Sequence, residues 1–423
     1  MSVCLLSTLD TKGRETAFLK NCLEEAGRPV VVVDAGLFEP DGIVPEISRF
    51  DVAAAGGANL ASVIGLPRDQ VIATMARGAG QILRSLQNEN RLAGVLGLGG
   101  NQGTAIVCAA MREIDLGLPK MLVSTIASGN MRPYIGFSDI AVLFSIGDLQ
   151  GGPNPVVEPV LRNAARAMIG MTAGTTGRIS SGSKPLVAIT TLGNTQPAAD
   201  RIIGLLRAAG MDAAAFHASG SCGSAMEHLV DAGSIAAVIE LTPHELTEEV
   251  VGAGWYQPTC AGRLIAAGRV GIPQVVVPGS MEYLCFGPRE SIPARFRRRP
   301  TYFHNNSNAN VRTSRAEMAK VGSVLAERLN RSNGPVVVVL PMQGWSIYGG
   351  PGGPLHDPLA DAALVESLTR SLRREIPVHR LPLHINAPPF ADRCCELLLE
   401  FLPQEKVLAQ TPARSGLKLG QIA

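Results

Sequence analysis

Short polar turns rich in glycine, serine and threonine follow several apolar runs of this chain. The first, at residues 7–15, reads STLDTKGRE and contains Asp10, Thr11, Lys12 and Gly13. Glycine lets the backbone approach a ligand closely, lysine supplies a positive charge, and the helix that follows points its N–H groups at an anion. The stretch does not contain the GxxxxGK[ST] pattern of a P-loop. A phosphate site and a plain helix cap with a surface lysine therefore both stay open for this turn.

Two further turns of the same kind follow apolar runs later in the first half. GLGGNQGT at residues 97–104 has the glycine content of a phosphate-binding turn, and STIASGN at residues 124–130 ends in small donors. If the preceding runs are neighbouring parallel strands, all three turns open at the same sheet edge. The residues that we predict to contact a ligand in these two turns are Gly99, Gly100, Asn101, Gly103, Thr104, Ser128, Gly129 and Asn130.

An acidic residue ends the second apolar run, where DAG places Asp34 two residues before Gly36. An acid at the end of the second strand accepts a ribose hydroxyl in dinucleotide-binding folds. Asp34 is therefore a candidate ribose ligand, and the competing interpretation is an ordinary Asp turn.

The second half carries candidate acid–base groups rather than a second charged turn. His217 and Glu240 end apolar runs, and His304 lies in FHNNSN after RFRRRP. All three are predicted to act in catalysis on a small anionic substrate, in a cleft between the domains. The alternative for each is a structural role. No set of histidines and carboxylates has a recognised metal-ligand spacing, so no protein metal site is predicted.

Composition restricts the class of protein. Hydrophobic residues make up 46% of the 423 residues and charged residues 17%, which is typical of a compact globular chain. A formal net charge of +2 gives no basic surface for nucleic acid, and no apolar run is long enough to span a membrane. Eight scattered cysteines and the lack of a signal peptide favour a reduced, cytoplasmic protein.

The order of elements predicts an α/β protein with two domains. Wholly apolar runs such as VVVV favour parallel sheets covered on both faces. The segment Thr172–Pro185 is rich in Gly, Ser and Thr and is predicted to be a linker, so the domains are 1–180 and 181–423. An offset of 183 residues, from Leu9 to Leu192, aligns the start of one half with the other. This alignment indicates either a duplicated architecture or the common pattern of βαβ units.

Several of these segments, in order along the chain, resemble the Tm-1-like ATP-binding family, also called UPF0261. The resemblance lies in TLDTKGRE, GLGGNQGT, PKMLVSTIASGNMRPYIGFSDI and NPVVEPVLRNAARAMIGM, and later in FHASGSCGSAMEHL, RLIAAGRVGIPQVVVPGS and GPVVVVLPMQGWS. The second half departs from the family pattern at Cys222–Gly223 and at Glu282, where the family favours two glycines and an aspartate.

The resemblance implies two Rossmann-like domains, a homodimer, and ATP with magnesium bound in the N-terminal domain. We expect the triphosphate at the three turns, with Lys12 on phosphate oxygens and Asp34 on the ribose. The alternatives are an enzyme acting on a small anionic substrate, an NAD-binding protein, and a regulatory module without catalysis. The motifs imply no reaction.

Overall fold

A computed structural model describes residues 1–174, 179, 182 and 184–402 of the chain. The chain divides into two compact units, Met1–Ser180 and Ser181–Ala423. Half of the predicted linker Thr172–Pro185, namely residues 175–178, 180, 181 and 183, lies outside the described residues. Among the helices that the structure describes, none is both long and apolar enough to cross a lipid bilayer.

The first unit is built on a parallel sheet. Its strands are β1 (Ser2–Ser7), β2 (Val30–Asp34), β3 (Leu92–Gly99), β4 (Lys120–Ser124) and β5 (Ala141–Phe144), in the spatial order β2-β1-β3-β4-β5. Its helices are α1 (Leu9–Glu25), α2 (Arg49–Ala55), α3 (Leu60–Ile64), α4 (Arg68–Asn88), α5 (Asn101–Met111), α6 (Arg132–Ile135) and α7 (Glu158–Met171).

Helices cover both faces of this sheet, which explains the wholly apolar strands. Side chains alternate across a strand, so Cys4 and Leu6 of β1 join a core on one face that includes residues of α4 and α5. Val3 and Leu5 point the other way, into a core that includes residues of α1 and α7. Every residue of such a strand must be apolar because neither face meets water.

The second unit contains a six-stranded parallel sheet and a separate three-stranded antiparallel sheet. Its strands are β6 (Leu186–Thr191), β7 (Asp212–His217), β8 (Ala237–Glu240), β9 (Gln274–Val276), β10 (Tyr283–Phe286), β11 (Thr301–Asn305), β12 (Asn308–Arg312), β13 (Val336–Pro341) and β14 (Val378–Leu381). Its helices are α8 (Gln196–Ala208), α9 (Ser221–Asp231), α10 (His244–Val251), α11 (Ala266–Val270), α12 (Arg315–Asn330), α13 (Pro358–Ser371) and α14 (Pro388–Glu400).

The two parallel sheets share one strand order. Read from β7, the larger sheet runs β7-β6-β8-β9-β13-β14, which repeats the order of the first unit and adds one strand. The aligned glycines Gly27 and Gly210 both have positive φ, 70° and 82°, in the turns after α1 and α8. The predicted α/β class with two Rossmann-like, mainly parallel sheets is confirmed, and the shared order favours a duplicated architecture.

Two local features differ from the sequence predictions. The stretch DTKG was placed in a turn before the first helix, but that helix, α1, begins at Leu9 and includes it. The antiparallel sheet β10-β12-β11 was not predicted, because its short strands are separated by proline and arginine residues and contain several polar side chains.

Candidate functional site

A cavity of about 800 Å³ opens in the first unit at the carboxyl ends of β1 and β3. These two strands are neighbours, and the chain winds outward from them in opposite directions, to β2 on one side and to β4 and β5 on the other. Ligands of open α/β sheets bind at this kind of switch point, because the turns diverge there and leave a crevice.

The start of α1 forms one wall of the cavity. Lys12 has non-helical angles, φ −127° and ψ 15°, which separate the first turn from the rest of the helix. The Thr8 carbonyl accepts hydrogen bonds from the Thr11 and Lys12 N–H groups, at 3.2 and 2.9 Å. The Thr16 hydroxyl donates to the Lys12 carbonyl at 2.7 Å. These hydrogen bonds hold the non-helical conformation at Lys12, and this residue lines the cavity.

The start of α5 forms the opposite wall. Gly100 is the N-cap residue and no side chain caps this end of the helix. The Thr104 N–H already bonds to the Gly100 carbonyl at 2.8 Å. The earlier N–H groups, those of Asn101, Gln102 and Gly103, have no acceptor within the helix because an α-helix leaves its first donors unpaired. Together with the helix dipole, they favour an anion in the cavity.

Two cations line the same cavity. Among the described residues, neither Lys12 nor Arg68 forms an ion pair or a side-chain hydrogen bond. Lys12 is half-buried and Arg68, at the start of α4, is exposed. Arg68 was not predicted from the sequence, where it appears as an ordinary surface arginine after Pro67.

The rest of the cavity is apolar. Side chains of α4, of α5 and of the loop after β2 supply this wall, namely Leu37, Phe38, Val71, Ile72, Met75 and Ile106. Phe38 is 62% exposed, which is unusual for a large aromatic residue. The cavity therefore combines a half lined by cations and helix N–H groups with an apolar half. None of these apolar side chains is among the ligand residues predicted from the sequence.

Some of the predicted ligand residues meet at the cavity. Those that line it are Asp10, Thr11, Lys12, Gly36, Gly100, Asn101 and Gly103. Asp10 also holds the wall together, since its Oδ2 accepts hydrogen bonds from the Leu37 and Phe38 N–H groups at 3.0 and 3.1 Å.

Other predicted ligand residues do not line the cavity because they hold the turns in place. A Cβ on Gly13 would lie 1.9 Å from the Asp41 carbonyl oxygen, and a Cβ on Gly99 would lie 2.3 Å from the Thr104 nitrogen. These two glycines allow close contacts within the protein. Thr104 is fully buried, and its hydroxyl bonds to that of Ser124 at 2.7 Å.

Asp34 is also buried rather than exposed to a ligand. Its Oδ1 accepts hydrogen bonds from the Leu9 and Gly36 N–H groups at 3.1 and 2.8 Å, so it ties the end of β2 to the start of α1. Burial raises the pKa of Asp34, and the neighbouring Asp10 carboxylate adds to this effect. Ser128, Gly129 and Asn130 form an exposed turn after β4, outside the residues that line the cavity.

The equivalent turn in the second unit is hydrogen-bonded to other segments of the protein. The turn after β6 contains Asn194, which is 5% exposed. Its side chain donates to the Tyr283 hydroxyl and accepts from the Ser280 hydroxyl at 2.8 Å. Asn386 donates to the Asn194 carbonyl at 2.9 Å. The turn that lacks the charged DTK stretch is thus held by hydrogen bonds to Ser280, Tyr283 and Asn386.

The predicted catalytic residues of the second unit belong to two different groups. His217 and His304 are exposed and border aromatic residues: the His217 ring centroid is 6.2 Å from that of Tyr256, and His304 Nδ1 is 3.4 Å from the Tyr348 hydroxyl. Partial burial lowers the pKa of His217.

Glu240 instead lies in a buried ionic network. Only 2% of it is exposed, and it accepts hydrogen bonds from Arg263 at 3.0 and 3.1 Å and from Thr190 at 2.9 Å. Arg263 also pairs with Glu227 and Glu245. These bonds occupy both carboxylate oxygens of Glu240, which gives this residue a structural role in the network.

Comparison with known families accounts for nearly the whole chain. Residues 1–177 match the model "Uncharacterised protein family (UPF0261) N-terminal domain", and residues 184–402 match the corresponding C-terminal domain. The chain belongs to the UPF0261 family. The resemblance predicted from the sequence is confirmed.

Relatives of this UPF0261 chain occur in bacteria and in a plant. A UPF0261 protein of Clostridium tetani is 34% identical over 402 residues, which cover 95% of this chain and 98% of the relative. One from Rhizobium meliloti is 38% identical over 395 residues, covering 92% and 96%. The tomato protein "ToMV resistance protein Tm-1(GCR237)" is 34% identical over 357 residues, covering 82% of this chain but 47% of that protein.

Proposed function

We propose that the first unit of this UPF0261 protein binds ATP together with magnesium, in the cavity between the ends of β1 and β3. One observation carries the proposal: the uncapped N-terminus of α5 and the two unpaired cations line the same cavity. Phosphate oxygens accept hydrogen bonds from helix N-terminal N–H groups and from cationic side chains. The cavity volume of about 800 Å³ lies within the range of small-ligand sites.

The two halves of the cavity match the two ends of a nucleotide. The phosphates occupy the side formed by Asn101–Gly103 and Lys12, where the donors are. The base packs on the apolar side, against residues such as Phe38 and Met75. Aromatic and aliphatic walls bind a base by burying its faces.

Asp10 is the residue that fits a magnesium ion. It lines the cavity, and only its Oδ2 is bonded to backbone N–H groups. Magnesium in nucleotide sites takes one or two carboxylates and completes its shell with phosphate oxygens and water. Asp10 Oδ1 is therefore proposed as the protein ligand, and bound magnesium would neutralise part of the triphosphate charge.

ATP is favoured over NAD by the position of Asp34. A dinucleotide fold uses an acid after the second strand to accept ribose hydroxyls. Asp34 stands at the matching position, but it is fully buried and its Oδ1 already bonds to two N–H groups. It does not line the cavity, so this mode of ribose recognition is unsupported.

Calorimetry with ATP and magnesium tests the proposal. We expect saturable binding of one ATP per chain, and a large loss of affinity in Lys12→Ala. Lys20→Ala is the matched control, because Lys20 lies on the same helix but pairs with Glu46 at 2.7 Å. NAD is expected not to displace ATP at equal concentration. Absence of heat with ATP, or equal affinity in the wild type and Lys12→Ala, would refute the proposal.

A further inference from the structure

Three side chains with metal-binding atoms meet in the second unit. One ligand atom from each of His244, Glu248 and Cys285 lies within 4.8 Å of the others, and all three residues are buried. His244 and Glu248 stand one turn apart on α10, and Cys285 lies on β10. This group was not predicted from the sequence, because Cys285 is 37 residues from Glu248 and belongs to the antiparallel sheet, which was not predicted.

The histidine is oriented for coordination. Its Nδ1 lies 2.6 Å from the Ser280 carbonyl oxygen, which can only accept a hydrogen bond, so Nδ1 carries a proton. The other nitrogen, Nε2, faces the cluster and lies 3.1 Å from Glu248 Oε1. Metal-bound histidines commonly donate their second N–H to a carbonyl in this way, which fixes the tautomer and the ring orientation.

The surrounding backbone is built around the carboxylate. The Cys285 N–H donates to Glu248 Oε1 at 2.6 Å, and the Tyr256 N–H donates to Oε2. Gly254 has φ +112°, and a Cβ there would lie 2.1 Å from the Glu248 carboxyl carbon. The loop can wrap Glu248 only because residue 254 is glycine.

The charges of the cluster also suit a divalent ion. A buried carboxylate must be paired or bound to a metal, and without an ion His244 is the partner of Glu248. With a divalent ion, the Glu248 carboxylate and a Cys285 thiolate balance both charges, while His244 stays neutral. Binding then releases the thiol proton, and any proton on His244 Nε2, to solvent.

We propose that His244, Glu248 and Cys285 bind one zinc ion. Nitrogen, oxygen and sulfur ligands in one group match the ligands of zinc, and three protein ligands leave a fourth position for water or a substrate. The aromatic residues next to His244 are Tyr283 and Tyr256, with ring centroids at 4.8 and 5.9 Å. This proposed site lies in the second unit, whereas the cavity proposed for ATP lies in the first.

Cobalt binding tests this proposal without any assumption about activity. The starting protein is the full chain with Cys222→Ser and Cys260→Ser, since both of these cysteines are exposed and would bind metal adventitiously. We expect one Co²⁺ per chain, with a near-ultraviolet thiolate-to-cobalt band that Zn²⁺ removes. Adding Cys285→Ser should abolish the band and weaken zinc binding by more than about 100-fold, since loss of an outer partner alone costs about 10–100-fold.

Each outcome decides the proposal. A band that survives Cys285→Ser, or no saturable binding of Co²⁺ or Zn²⁺ to the starting protein, overturns it and leaves the cluster as a buried His–Glu ion pair. Circular dichroism checks the fold of each variant. If Cys285→Ser does not fold, His244→Asn replaces it, because the asparagine amide nitrogen takes the place of Nδ1 and can still donate to the Ser280 carbonyl. Loss of the band in that variant supports the site, and its retention contradicts it.

Discussion

Substituting Gly103 by alanine should weaken the proposed ATP binding without lowering the stability of the fold. Gly103 lies in the first turn of α5 and lines the cavity. A helical Cα–Cβ bond tilts towards the helix N-terminus, so the new methyl group would point towards the place proposed for the phosphates. It would lie 3.7 Å from the Thr8 hydroxyl, across the switch-point crevice.

The structure sets the size of both effects. The contacts nearest to the new Cβ are 3.4 and 3.7 Å, which are ordinary van der Waals distances, so the fold accommodates it. Alanine favours a helix interior over glycine by about 0.5–1 kcal/mol, and we expect up to that gain in stability. Excluding phosphate from one N–H group costs about 1.5–3 kcal/mol of binding, or about 10- to 100-fold in Kd for ATP.

The assay measures unfolding in urea and ATP binding by calorimetry on the same preparations. Gly170→Ala is the matched control, because Gly170 lies within α7 and a Cβ there meets nothing within 4 Å. It should gain similar stability and bind ATP as the wild type does. If Gly103→Ala is at least as stable as the wild type but binds ATP equally well, the phosphates do not lie at the start of α5.

Three further substitutions test other parts of the structure. Thr104→Val removes the buried hydrogen bond to Ser124 and should cost about 1–2 kcal/mol in urea unfolding, with ATP affinity unchanged; a large loss of affinity would give Thr104 a direct role. Gly13→Ala would place a Cβ 1.9 Å from the Asp41 carbonyl oxygen, so we expect more than about 2 kcal/mol of destabilisation; a neutral result would contradict this packing. Burial, reinforced by a nearby acid, raises the pKa of Glu282 from 4.5 to about 7. The folded state therefore holds a proton that the unfolded state loses, and stability falls by about 1.4 kcal/mol per pH unit between these values. Unfolding at a series of pH values should show Glu282→Gln gaining about 3 kcal/mol on the wild type from pH 4.5 to 7.5, and parallel pH profiles would refute the assignment.

The sheets were predictable because burial on both faces leaves a strong pattern. The run Val30–Val33 has no polar position, and it forms β2, an edge strand of the parallel sheet whose side chains join cores on both faces. The polar segments after β1 and β3 were located for the same reason, since a strand's end is where its apolar run stops. The order of the strands in the sheet decides which turns meet at one cavity. The sequence indicates this order but does not determine it.

The roles of individual polar residues were less predictable. Asp34 ends β2 and Lys12 lies in the helix after β1, yet Asp34 is buried and bonded to backbone N–H groups, whereas Lys12 lines the cavity. Arg68 reaches the cavity only because α4 packs beside α5. Cys285 approaches His244 through a sheet of short, partly polar strands. These arrangements depend on tertiary packing, which leaves no periodic pattern in the sequence.

The most direct test of the central claim is a crystal structure of the protein with a non-hydrolysable ATP analogue and magnesium. Our account predicts phosphate density within about 3 Å of the Asn101–Gly103 N–H groups and of the Lys12 ammonium, with the base against Phe38 and Met75. Well-ordered nucleotide density at any other place on the protein, with this cavity left to solvent, would contradict the account.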